Sequence, residues 1–182
     1  MKSPIFTIVE QPNLKTSEIL NMCKKLFKAY SSYNDKQLDE DYPAPKEATV
    51  RYFRANIEAD EEHANKSAKQ LEKENIPGIT LRERLLLELQ YFCVTGGHLD
   101  IKNYTLCSGS RFSDGGVPLV HWSSASGKLG VHWGSVEHYG GPFRAREVVS
   151  ADGVPLKLNP CSLSGKKVKV ELDGSIYEAI IQ

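Results

Sequence analysis

Two histidines stand in a repeated tripeptide, Val120-His121-Trp122 and Val131-His132-Trp133, separated by a short polar run that contains Gly127. Ser126-Gly127 can serve as a two-residue hairpin turn, because glycine tolerates the positive φ such turns require. Pairing about that turn sets His121 opposite His132, Trp122 opposite Val131 and Val120 opposite Trp133. Side chains alternate between faces, so both imidazoles share one face and both indoles the other. The indole face reads as core and the imidazole face as a candidate site. Directly opposed histidines have Cβ atoms ~5 Å apart, close enough to share a proton or a transition metal. Two imidazolium charges that close disfavour double protonation, so one ring is expected to titrate below its ~6.5 reference value. Zinc would need further ligands, with His98 or His138 completing the set and Cys107 and Asp114 also in the region. The simpler expectation is no cofactor, with the two rings contacting each other or a carboxylate.

Just upstream lies Ser108-Gly109-Ser110-Arg111-Phe112-Ser113-Asp114-Gly115-Gly116. Small residues let backbone amides converge, and Arg111 can grip a carboxylate or phosphate with two donors. The spacing is not that of a P-loop. Its plainer reading is a glycine-rich turn closed by an Arg111–Asp114 ion pair. Because the loop feeds into the His121 strand, a ligand site built from Arg111, Asp114, His121 and His132 is expected. Other templates fit less well. His98-Leu99-Asp100 with His138 imitates a two-histidine, one-carboxylate iron site without the strand scaffold such sites use. A Cys107–histidine nucleophile is countered by the burial of most strand cysteines. Asp60 and His63, three apart, lack a matching half on another helix and read as part of a solvated run, 58–63.

These residues need elements to hold them. Ile19, Cys23, Leu26, Phe27 and Tyr30 form one stripe of a helix over residues 15–30, with Thr16 or Ser17 as cap. An acidic loop broken by Pro43 and Pro45 follows. In residues 46–75, Val50, Ile57, Ala64 and Leu71 recur every seven positions, which predicts a second, long helix with one narrow packing stripe. Ile76-Pro77-Gly78-Ile79 turns the chain, and Thr80-Leu81-Arg82-Glu83 is a capping box opening a third, well-buried helix that Gly96-Gly97 end. Helices two and three are expected as an antiparallel hairpin.

From Gly96 to Gly141 the texture changes: ten of the fourteen glycines, four of the five histidines and both tryptophans fall there. Short runs of Val, Thr, Tyr and Trp between Gly/Ser clusters read as strands and turns. Residues 167–172, Asp173-Gly174 and 175–181 read as a terminal hairpin. Helices first and strands afterwards predict an α+β fold: about three N-terminal helices packed on a C-terminal, mainly antiparallel sheet. A single domain over 1–182 is expected, with a helical part at 13–95 and a glycine-rich β part at 98–182.

Composition bounds the function. With 182 residues, 23 basic and 23 acidic side chains, the net charge is zero. That removes the electrostatic case for nucleic acid or anionic membrane as partner. No run approaches the ~20 apolar residues of a transmembrane helix, and the first twelve residues lack the apolar centre of a signal peptide. Four separated cysteines without metal-ligand spacing point to a reducing compartment, the cytoplasm. The expected function is a binding or interaction module using the Gly/Ser loop and histidine face for a small ligand or protein. The alternatives are a small metal-dependent or acid–base enzyme using His121 and His132, and a structural homo-oligomer associating through the long helix.

Overall fold

A computed structural model of the chain describes residues 5–154, together with the backbone of 168–172 and 175–179. Cys161 and the Asp173-Gly174 turn lie outside the described residues. The architecture is α+β. Strand β1 (Ile5–Glu10) leads to α1 (Thr16–Leu26), β2 (Ala29–Ser31), α2 (Asp35–Asp41) and β3 (Thr49–Arg54). A 3₁₀ turn (Glu61–His63), α3 (Ala68–Lys73) and α4 (Leu81–Thr95) follow. Strands β4 (Tyr104–Leu106), β5 (Val117–Ser123), β6 (Lys128–Gly134) and β7 (Phe143–Arg144) come next, then the hairpin β8 (Val168–Leu172) and β9 (Ser175–Ala179).

Five strands form the main sheet in the order β2-β6-β5-β4-β7, with its three central strands antiparallel and each edge strand parallel to its neighbour. β1 and β3 pair antiparallel in a separate ribbon. Helix α4 packs against α1 and β1 and touches β5, so it ties ribbon, helix and sheet together. Its start is the capping box the spacing predicts: Glu83 N donates to Thr80 Oγ1 at 3.2 Å, and Thr80 N donates to Glu83 Oε2 at 2.7 Å. The core gathers Phe6, Ile8, Ile19, Leu20, Phe53, Leu81, Leu85, Val120, Leu129 and Val131.

Residues 46–75 are not one helix. Thr49-Val50-Arg51-Tyr52-Phe53-Arg54 is rich in β-branched and aromatic side chains, and its partner is β1, with Phe6 facing Phe53 and Val9 facing Val50. Tertiary pairing overrides the seven-residue spacing, which leaves Ile57 half exposed. The stretch 13–95 therefore supplies β2 and β3 as well as helices, and the long helix needed for the oligomer reading does not exist. The helix expected over 15–30 ends at Leu26, and Tyr30 stands on β2. Thr16 and Ser17 bind Tyr42 O and Asp39, joining α1 to the end of α2 instead of capping. Cys93 is exposed, whereas Cys23 and Cys107 are buried. Among the described residues no helix is long and apolar enough to cross a membrane.

Candidate ligand pocket and histidine face

The β5–β6 hairpin is joined by four residues, 124–127, not two, with Gly127 at φ 59°. His121 consequently faces Gly130, and His132 faces Leu119. The shift from the expected register is two residues. An even shift leaves every side chain on its own face, so the histidines still share one. They are diagonal neighbours, with ring centroids 5.2 Å apart.

Rings continue in both directions. Tyr30 of β2 stands 5.1 Å from His132 of β6, Tyr104 of β4 lies 3.8 Å from His121 of β5, and Phe143 of β7 is 5.4 Å from Tyr104. One ring per strand thus crosses the whole sheet. His138 extends the row past Phe143, at 4.5 Å. The Tyr30 hydroxyl bonds His132 Nε2 at 2.8 Å, while His121 Nδ1 is buried without a partner. Burial, and after it the neighbouring His132, pushes His121 down to about 4, and burial also lowers His132. At neutral pH both rings are free bases.

The opposite face is core at Trp122 but not at Trp133, which is half exposed with its indole on Asp114. Trp122 packs there with Phe27, and His98 stacks on it with its Nδ1 2.8 Å from Glu88 Oε1. His98 is therefore on the far side of the sheet from His121 and cannot complete a metal set with it. Asp100 is engaged by Arg84 and Arg146, so the iron-site imitation has no free carboxylate. Burial pushes the Cys107 thiol far up, which makes it inert.

The Gly/Ser loop is turned elsewhere. Arg111 Nη1 donates to the carbonyls of Ser108 and Ser110, each at 2.8 Å, and Nη2 pairs with Glu72 at 3.1 Å. No Arg111–Asp114 pair forms: Asp114 Oδ1 accepts instead from Gly116 N at 2.9 Å and from Trp133 Nε1 at 3.2 Å. Arg111 lines a pocket of about 490 Å³, opposite a wall drawn from β3, the Ile76–Gly78 turn and the start of α4. Arg51 and Glu83 belong to that wall, 3.5 Å apart. Burial raises the Glu83 carboxyl to about 7 even though the Thr80 amide and Arg51 oppose the rise. The four expected site residues thus lie in three settings: Arg111 on the pocket, Asp114 under the Trp133 indole, and both histidines on the ring row.

Asp60 and His63 are buried and not solvated. With Glu62 they bring ligating atoms within 4.8 Å of one another. The charge there is already met by Arg54, whose guanidinium is 2.9 Å from Asp60, 3.1 Å from Glu62 and 3.0 Å from Glu147, which in turn bonds His63. This is an internal ion cluster.

Arg51, Glu72 and Glu83 are not among the expected site residues, because the first two fall in the stretch 46–75, which reads as one helix, and the third reads as a cap. Tyr30 reads as part of a helical stripe and Tyr104 as one strand aromatic among several, so their alignment with the histidines emerges only from β2 and β4 flanking the hairpin. Comparison with protein families, with characterised proteins and with solved structures gave no match.

Proposed function

We propose that the chain is a binding module for a small molecule bearing a carboxylate or phosphate, seated in the pocket beside Arg111. The preset guanidinium carries this reading. Two backbone carbonyls fix Nη1, so the loop has already paid the ordering cost of the side chain before a ligand arrives. The remaining terminal nitrogen holds only Glu72, whose side chain is 74% exposed. An exposed pair of this kind contributes about 0–1 kcal/mol, so a ligand oxygen displaces Glu72 at small cost. Arg51, half exposed on the same pocket, supplies a second cation. Near neutrality Glu83 is partly protonated, which frees Arg51 from its partner and offers a donor to the ligand.

Ser108 Oγ, on the pocket wall, is buried without a hydrogen-bond partner, and a hydroxyl nucleophile needs a base within reach. This favours binding over catalysis at the pocket. With zero net charge, selection of the anion would be local and not steered from a distance.

Calorimetry against phosphate, sulfate, acetate and citrate tests the reading. At least one anion is expected to bind, Arg111→Gln to weaken it tenfold or more, and Glu72→Gln to strengthen it by removing the competitor. Equal affinity in wild type and Arg111→Gln, or no binding by any of the four to folded protein, would overturn it.

A further inference from the structure

We propose that His121 and His132 together hold a divalent transition-metal ion, zinc by the geometry they offer, on the outer face of the five-stranded sheet. The site is independent of the Arg111 pocket. Its first support is distance. A Zn–N bond of about 2.0–2.1 Å, with about 1.1 Å from nitrogen to ring centre, puts each centroid about 3.2 Å from the ion. Two imidazoles at the tetrahedral angle then have centres about 5.2 Å apart. The observed separation is 5.2 Å. A turn of each ring about its Cβ–Cγ bond sets the direction of the nitrogens while moving the centres little.

Packing alone would also bring two rings near each other, but it does not call for the residue opposite His121. That residue is Gly130, in the middle of a central strand, where glycine weakens pairing and commonly marks a close approach. Its backbone is ordinary, so conformation does not require glycine there. Space does: a Cβ at 130 would lie 2.4 Å from His132 Nε2 and 3.1 Å from Tyr30 Cε1. The missing side chain lets the His132 imidazole lean along its own strand, over the residue that faces His121.

His121 Nδ1 has no partner to give up. The Tyr30 hydroxyl stands within hydrogen-bond distance of both His132 nitrogens, 2.8 Å from Nε2 and 3.1 Å from Nδ1, so a turn of the ring would give one nitrogen to the ion and keep the other on the hydroxyl. Such an outer partner is the usual means of orienting a ligating histidine. Two imidazoles are fewer than the three or four protein ligands zinc usually takes, so water or another molecule would fill the two remaining positions, with His138 standing at the end of the row beside Phe143.

The test is titration of the full chain with Zn²⁺ and Co²⁺ at pH 7 in a buffer with a non-chelating reductant. One ion per chain is expected, Co²⁺ giving visible tetrahedral bands without the thiolate charge-transfer absorption that cysteine ligation would add. His121→Phe and His132→Phe should each weaken zinc at least tenfold, and Gly130→Ala should weaken it as well. Should a variant fail to fold, imidazole NMR of the wild-type protein decides. Zinc must move the His121 and His132 resonances and spare His98. No uptake by wild type, thiolate absorption, unmoved resonances, or unchanged affinity in a folded His121→Phe protein would each overturn the proposal.

Discussion

Arg84 Nε lies 2.8 Å from Asp100 Oδ2, and solvent reaches neither side chain. Arg146 closes on the other oxygen of Asp100 at 2.7 Å, Thr105 donates its hydroxyl to the same carboxylate, and Glu88 balances Arg84 at 2.8 Å. Burial by itself would raise the Asp100 carboxyl, but Arg146 and Arg84 outweigh it and hold the group below its ordinary range. The chain turns here through a left-handed residue, Asp100 at φ 53°, and Trp122 N donates to its carbonyl at 3.1 Å. The pair thus locks α4 to the sheet at the point where helix gives way to strand. Removing one partner leaves buried charge uncompensated, so Asp100→Ala should cost about 3–5 kcal/mol, read from denaturant titration. A loss under 1 kcal/mol would show that the cluster relaxes around the gap.

Thr80 gives a smaller, local test. Its side chain and that of Glu83 satisfy each other's amides at the start of α4. Thr80→Ala should lower stability by about 0.5–2 kcal/mol, and no measurable change would mean the Glu83 half of the box suffices.

What the sequence made readable was local. Thr80-x-x-Glu83 sets the α4 start within four residues, and alternation with Gly127 marks the β5–β6 hairpin. The loop length was misjudged, as was the burial of Trp133, but because the register error is even, the shared face of His121 and His132 survives it. Partners distant in sequence were not readable. Val50, Phe53 and Ile57 satisfy a helical stripe, yet Thr49–Arg54 is a strand because β1, some forty residues earlier, offers an edge. Arg84 and Glu88, an i,i+4 pair, are fully buried, and their charges are balanced there by Asp100 and Arg146, which come from elsewhere in the chain. Arg111 was singled out by its loop, but Arg51 and Glu83 reach its pocket only through the ribbon and the helix start.

His121 should leave a mark on acid stability. Its pKa falls from 6.5 in the unfolded chain to about 4 in the fold, so between those values the unfolded state binds more protons. Stability from this group is complete above about 6.5 and is lost as pH drops toward 4. His121→Phe should flatten that limb of a stability–pH curve measured without metal. An unchanged slope would place the acid sensitivity elsewhere.

Glu83 acts in the opposite sense across much of the same range. Its carboxyl is raised from 4.5 to about 7, so the folded state holds a proton that the unfolded state releases. The stability it contributes is present below about 4.5 and is lost as pH rises through 7. In the wild-type protein this loss partly cancels the gain from His121, and a shallow overall profile would conceal both. Glu83→Gln separates them. Glutamine can still accept from the Thr80 amide, since the capping box takes either residue. It cannot ionise, so no charge has to remain buried at high pH. The variant should lose the alkaline decline and match or exceed wild type at pH 8, even without the 3.5 Å contact to Arg51. Lower stability than wild type at pH 8 would mean that the pair with Arg51 makes the buried carboxylate net stabilising, and that the Glu83 carboxyl is not raised in the fold.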